Sequence, residues 1–141
     1  MIIMSVDFGK ARTGVAVSDK GEIFAFPKCV ITEYNRDKLI QKLAEKAKEY
    51  GAELIVAGLP KNMDGSEGFK AEECRENAAL LQQATGISVE LYDERCTTVI
   101  AHNQLSLNDV RGKKRKDTVD AVAATVILED FLRMRKLKKE N

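Results

Sequence analysis

Tryptophan is absent from this 141-residue chain, histidine occurs once, and the three cysteines, Cys29, Cys74 and Cys96, form no C-x-x-C pair. With His102 as the only imidazole, a zinc centre is a poor reading, and reduced, mostly buried thiols are expected. The 2 prolines and the lack of any Ser/Gly-rich or low-complexity tract argue against disorder. No apolar run approaches the roughly 20 residues needed to span a bilayer. Met1-Ile2-Ile3-Met4 has neither the basic flank nor the cleavage site of a signal peptide. These absences lead to the expectation of a cytoplasmic protein with no membrane partner. What is present, 44% apolar and 32% charged residues, suits one domain with a real core.

The net charge of +1 conceals an asymmetry. Arg111–Lys116 and Arg133–Asn141 carry five basic residues each, leaving 13 basic against 21 acidic residues elsewhere. An acidic body with two basic patches suits a polyanion gripped at chosen places, although a solvated loop and tail would show the same composition.

Met1 to Val6 is a short apolar run ending in the carboxylate of Asp7, and Gly9 and Gly14 bracket a turn into a second strand, Gly14–Ser18. A third strand is predicted over Glu22–Phe26, ended by Pro27, which completes an antiparallel meander. Asn35 is a suitable N-cap for an amphipathic helix whose apolar face is Leu39, Ile40, Leu43, Ala44, Ala47 and Tyr50, stopped by Gly51. Leu54–Gly58 reads as a strand covered on both faces, and a helix before it implies a parallel crossover. The polar loop 59–68 is expected to form a site wall. A second helix over Phe69–Ala84, a strand over Ile87–Tyr92, a short helix from Thr97 or Thr98 to about Leu105 and a basic loop at 111–116 follow. The last helix is predicted to begin near Asp117, with Val119, Val122, Ala123, Val126 and Ile127 as its apolar stripe. The order βββαβαβα describes an α/β fold with a mixed five-stranded sheet. One domain over residues 1–132 and a basic tail over 133–141 are expected.

Four acids from three distant segments draw attention: Asp7, Glu94 (with Asp93 beside it), Asp117 and Asp120. If strands one, four and five run parallel with strand four between the others, the ends of strands one and five share an edge roughly 10 Å apart. Carboxylates gathered there repel one another unless hard divalent cations such as Mg²⁺ or Mn²⁺ neutralise them, and a pair of such ions suits phosphodiester hydrolysis. A duller explanation exists for each acid. Asp117-x-x-Asp120 resembles a capping box, and Asp93-Glu94 reads equally as an exposed turn.

Taken together, Asp7-Phe8-Gly9 with Arg12–Asp19, Gly58-Leu59-Pro60 with Asp64–Gly68, Asp93-Glu94-Arg95 with Thr97-Thr98, and Asp117–Asp120 with Ala123-Ala124 resemble the YqgF/RuvX family of ribonuclease H-like proteins. The resemblance spans roughly residues 2 to 132. It implies the ribonuclease H-like fold and a metal-dependent nuclease that matures the 5′ end of precursor 16S rRNA, with ribosomal precursor particles as possible partners. The alternative it carries is a Holliday junction resolvase acting on branched DNA. On this pattern Asp7, Glu94 and Asp120 are the metal ligands, with Asp117 completing an aspartate pair. Resolvases of the RuvC type carry a glutamate after the fourth strand, where this chain has Gly58-Leu59-Pro60, so Glu94 is assigned that role.

Arg12 and Arg95 are expected near the acids, where they could hold the scissile phosphate, and Lys113, Lys114, Arg115 and Lys116 are expected along the nucleic acid backbone. A surface ion pair is an equal reading for either arginine. Two rivals of other classes remain: an ATP-binding domain of the sugar-kinase, actin and Hsp70 type, which needs two such domains, and an inactive nucleic-acid-binding module. Either a monomer or a homodimer is compatible with the sequence.

Overall fold

The computed structural model describes residues 1–9, 11–60, 68–93 and 112–140, with 112–121 and 139–140 as backbone only. Strand β1, Ile3–Phe8, sends Ile3 and Ser5 to one face of the sheet and Met4 and Val6 to the other, all four fully buried. Strand β2, Arg12–Ser18, returns antiparallel, with Met4 opposite Val17 and Asp7 opposite Gly14. The turn that follows is held by Asp19, whose carboxylate accepts from the amides of Ile23 and Phe24, both at 2.8 Å, and so titrates below the usual aspartate range.

Strand β3, Ala25–Thr32, differs from the predicted Glu22–Phe26 strand because it runs through Pro27 rather than stopping there. It is the edge strand, where a missing N–H costs no ladder bond. The pairing shifts register between Val15 and Ala16, opposite Cys29 and Pro27, so a bulge takes up the irregularity.

Helix α1, Arg36–Tyr50, begins and ends where predicted. The Asn35 side chain accepts from the Lys38 amide at 3.0 Å, and Gly51 closes the helix at φ 70°, a left-handed conformation that glycine adopts without penalty. Leu39, Ile40, Leu43 and Ala47 are buried against Met4, Val6, Val15 and Ile55, each large side chain contributing about 1.5–3 kcal/mol. Strand β4, Leu54–Leu59, is buried along its whole length and parallel to β1; helix α2, Phe69–Thr85, packs beside α1; strand β5, Val89–Asp93, is parallel to β4.

The last helix, α3, spans Gly112–Glu140 and crosses the opposite face, burying Ala124, Ile127, Leu128 and Phe131 on Ile3, Ala16, Leu54 and Val56. Its start is a correction to the sequence reading. The basic residues 113–116 lie within the first turns of α3 rather than in a loop, since Lys and Arg are good helix formers and no breaker follows Gly112. The residues read as a basic tail continue the same helix to Glu140.

The sheet order is β3-β2-β1-β4-β5, with α1 and α2 on one face and α3 on the other. Among the described residues the elements follow the predicted order βββαβαβα. Among the described residues no helix is long and apolar enough to cross a membrane.

Candidate active site at the carboxyl edge of the sheet

The β1–β4–β5 order brings the carboxyl ends of three parallel strands to one edge, with β4 between the other two as the sequence argument required. Asp7 sits at that edge. Strand alternation places it with Ile3 and Ser5 on the α3 face. Arg12 belongs to the same face, because it shares its parity with Gly14, the residue opposite Asp7, and with Ala16, which packs against α3. A cross-strand diagonal of this kind separates Cβ atoms by roughly 7–8 Å, within reach of a long arginine.

Two contacts fix how α3 lies on this face. The Ser5 hydroxyl donates to the Ala124 carbonyl oxygen at 2.7 Å, deep in the core. Farther along, the Arg135 Nε donates to Glu22 Oε1 at 2.8 Å, and the N-terminal ammonium of Met1 lies 3.1 Å from Glu22 Oε2. The helix therefore runs antiparallel to β1, its later turns at the amino end of the strand and its earlier turns toward the carboxyl edge. From Ala124 back to Asp120 is four residues, about 6 Å of helix, and from Ser5 forward to Asp7 is two residues, about 6.6 Å of strand. The backbone at Asp120 is thus level with Asp7. Positions 117 and 120 also fall on the helical stripe that carries Ala124 and Ile127 to the sheet.

This geometry removes the duller reading of the aspartate pair. A capping box requires Asp117 just outside the first turn, yet α3 starts at Gly112 and puts Asp117 in its second turn and Asp120 in its third. Mid-helix aspartates have unfavourable propensity and no capping function to offset it.

At the end of β5, the Tyr92 hydroxyl donates to Asp130 Oδ2 at 2.7 Å and its ring meets Phe131 edge-on, bracing the strand against α3. Tyr92 therefore faces α3, and alternation places Asp93 on the other face, with Leu91 and, across the ladder, Leu59. Glu94, Arg95, Cys96, His102, the predicted helix at 97–105 and residues 61–67 of the expected site wall lie outside the described residues. So do the side chains of Asp117, Asp120, Lys113, Lys114, Arg115 and Lys116. Among the described residues no three His, Cys, Asp or Glu side chains gather to hold a metal ion, and of the four candidate acids only Asp7 has a described side chain.

Gly9 shapes the turn that follows Asp7. A Cβ there would run into the backbone carbonyl oxygen of Arg12, so only glycine allows the chain to fold back this closely. Sequence reasoning missed Ser5, Glu22 and Arg135 as the groups that set the helix in place. The available signal for Ser5 was a lone hydroxyl inside the run Ile2-Ile3-Met4-Ser5-Val6, on the face that receives alanines. The small residues at 123 and 124 allow a close approach of the α3 backbone to the sheet, as the Ser5–Ala124 bond shows.

Comparisons with known proteins agree with this architecture. Residues 1–134 match the RuvX family, whose description is Holliday junction resolvase. A Clostridium botulinum protein named "Putative pre-16S rRNA nuclease" is 42% identical over 132 residues, covering 94% of this chain and 96% of its own. A Natranaerobius thermophilus protein of the same name is 38% identical over all of this chain and 99% of its own. Among solved structures, Thermus thermophilus RuvC in complex with a Holliday junction superposes with a TM-score of 0.62 at 12% identity, covering 96% of each chain. Fowlpox virus resolvase bound to junction DNA superposes at 0.58 and 12% identity, covering 96% of this chain and 99% of that one. At such identities the likeness speaks for the fold, which is ribonuclease H-like. The near-complete match of sequence and family pattern settles the relationship: this chain belongs to the RuvX family.

Proposed function

We propose that this protein is a divalent-metal-dependent nuclease that hydrolyses phosphodiester bonds in the maturation of the 5′ end of precursor 16S rRNA. The observation that carries the reading is the level placement of Asp7 and position 120 of α3 on one face of the sheet, at the edge where β1, β4 and β5 all end. The shared name of the relatives supports the RNA substrate.

The donor set fits hard cations. Asp7, Glu94 and Asp120 would hold Mg²⁺ or Mn²⁺ through carboxylate oxygens, with Asp117 as a fourth acid, and no imidazole or thiol is needed. Such ions, when bound, supply an activated water and neutralise charge on the leaving oxygen. The chain's own residues bind and orient the strand. Arg12, on the Asp7 face, offers a planar fork to the scissile phosphate, and Arg95 is assigned the same task from the β5 side. Lys113, Lys114, Arg115 and Lys116, in the helical turns that precede the aspartates, add charge for the flanking phosphates. Face alternation supports Glu94 rather than Asp93 as the middle acid, because Asp93 belongs to the α2 face, opposite Asp7.

The family description favours one second reading, resolution of four-way DNA junctions. That activity needs two cuts related by symmetry and hence a two-fold dimer, which trimming an rRNA end does not. Cleavage by purified protein of a labelled precursor 16S rRNA 5′ fragment, beside a four-way DNA junction, each with Mn²⁺, Mg²⁺ or EDTA, tests both. Metal-dependent cutting of the RNA is expected. Paired nicks in the junction alone would replace the rRNA reading with the resolvase one.

A further inference from the structure

Behind Asp7, on the opposite face of the sheet, Phe8, Pro60 and the first half of α2 enclose a cavity of about 440 Å³. Its helical wall is one stripe of α2, Lys70, Glu73 and Asn77 at spacings of three and four, with Phe69 at the mouth. Two features set it apart from an ordinary surface cleft. The Asn77 Oδ1 atom is buried and accepts no hydrogen bond among the described residues, at a cost of about 1–3 kcal/mol to a protein that leaves it so. Phe69 is 74% exposed at the first helical position, where a polar residue would be cheaper. Among the described residues the cavity thus combines aromatic faces, an unanswered acceptor beside it, the cation Lys70 and the carboxylate of Glu73.

We propose that this cavity receives one unpaired nucleobase of the strand being cut, adjacent to the scissile phosphate. The assignment rests on the nuclease reading of Asp7. Consecutive strand residues point to opposite faces, so Asp7 and Phe8 place the cutting site and the cavity on either side of a single backbone at the sheet edge. A strand lying across that edge, with a phosphate at Asp7, can turn its neighbouring base over the edge. There the base stacks on Phe69 beside Phe8, and the Asn77 side chain turns to bring Oδ1, buried until then, to a base N–H, while Lys70 meets a phosphate at the mouth. Every nucleobase has a flat face and an N–H donor, so the cavity selects for an unpaired nucleotide rather than for a sequence.

The test uses full-length protein carrying Asp7→Asn, so that binding is read without turnover. It is titrated by fluorescence anisotropy with single-stranded RNA from the precursor 5′ region, in which an abasic residue is stepped through each position. One position should weaken binding about tenfold, within the range of base–aromatic stacking, and its neighbours much less. Adding Phe69→Ala, at an exposed position that cannot collapse the core, should reduce that penalty to within about twofold. Asn77→Leu should do the same. No sensitive position, or a penalty that persists in both variants, would overturn the assignment. Because the assay reads binding, the two claims separate: cutting by the wild type with no abasic-sensitive position refutes the cavity and leaves the nuclease, whereas a Phe69-dependent abasic penalty without cutting refutes the nuclease and leaves the cavity as a base-binding site.

Discussion

Glu22 is the residue through which the far end of α3 is tied to the sheet, and Glu22→Gln measures that tie. The carboxylate receives the Arg135 Nε at 2.8 Å and the Met1 ammonium at 3.1 Å, and its side chain is only 13% exposed. Hydrogen bonding from Arg135 is the main cause that lowers its pKa from 4.5 to about 2. At about 1.4 kcal/mol per pKa unit, that difference corresponds to about 3 kcal/mol. Arg135 is a quarter exposed, so solvent screens part of the attraction and about 1–2 kcal/mol is the expected loss on substitution at neutral pH. Since the folded value lies below the unfolded one, the stabilisation is complete above about pH 5 and is lost as pH falls through the folded value. Urea denaturation of both proteins at pH 7 and at about pH 3 should show the gap shrinking by more than half, and closing near pH 2. A gap independent of pH would refute the charge argument, and no gap at pH 7 would show that Glu22 does not hold the helix.

Three further outcomes follow from the same structure. Ser5→Ala removes the buried hydroxyl donated to Ala124 and should cost about 1 kcal/mol in urea denaturation, with a drop in kcat under saturating RNA larger than any change in KM if the helix shifts at Asp120. Gly9→Ala sets a Cβ against the Arg12 carbonyl and should destabilise by about 1–3 kcal/mol, read as a lowered urea midpoint at unchanged slope. Lys114→Gln with Arg115→Gln should leave the melting temperature nearly unchanged, and should reduce the slope of log affinity against log salt for single-stranded RNA by about 1 to 1.5.

Most of the fold was legible because its signals are local and periodic. Asn35 and Gly51 bound α1 as caps do, and the continuous apolar run of β4 announces a strand buried on both faces. The misplaced boundaries have physical causes. Pro27 reads as a strand end only if the strand is interior; on the edge, with a bulge beside it at Lys28, it is tolerated. The basic run 113–116 reads as a loop when judged by charge, yet its residues are strong helix formers, and that same error supplied a false capping role for Asp117 and Asp120. Asp7 was legible as a carboxylate at the end of an apolar strand. The groups that set α3 against it were not: Ser5 and Ala124 are 119 residues apart, Glu22 and Arg135 are 113 apart, and no local pattern joins them. Asn77 carries no sequence signal either, since an asparagine on a polar helix is ordinary until its oxygen is found buried.

Asp7 and Asp120 are proposed to act together on a phosphodiester bond, which is tested by comparing wild type, Asp7→Asn and Asp120→Asn in cutting and in binding the precursor 16S rRNA 5′ fragment with Mn²⁺ present. Each variant should lose turnover entirely while remaining folded, with a stability change for Asp120→Asn under about 1 kcal/mol. Each should still hold the RNA. Unimpaired cutting by either folded variant would contradict the pairing of the two aspartates.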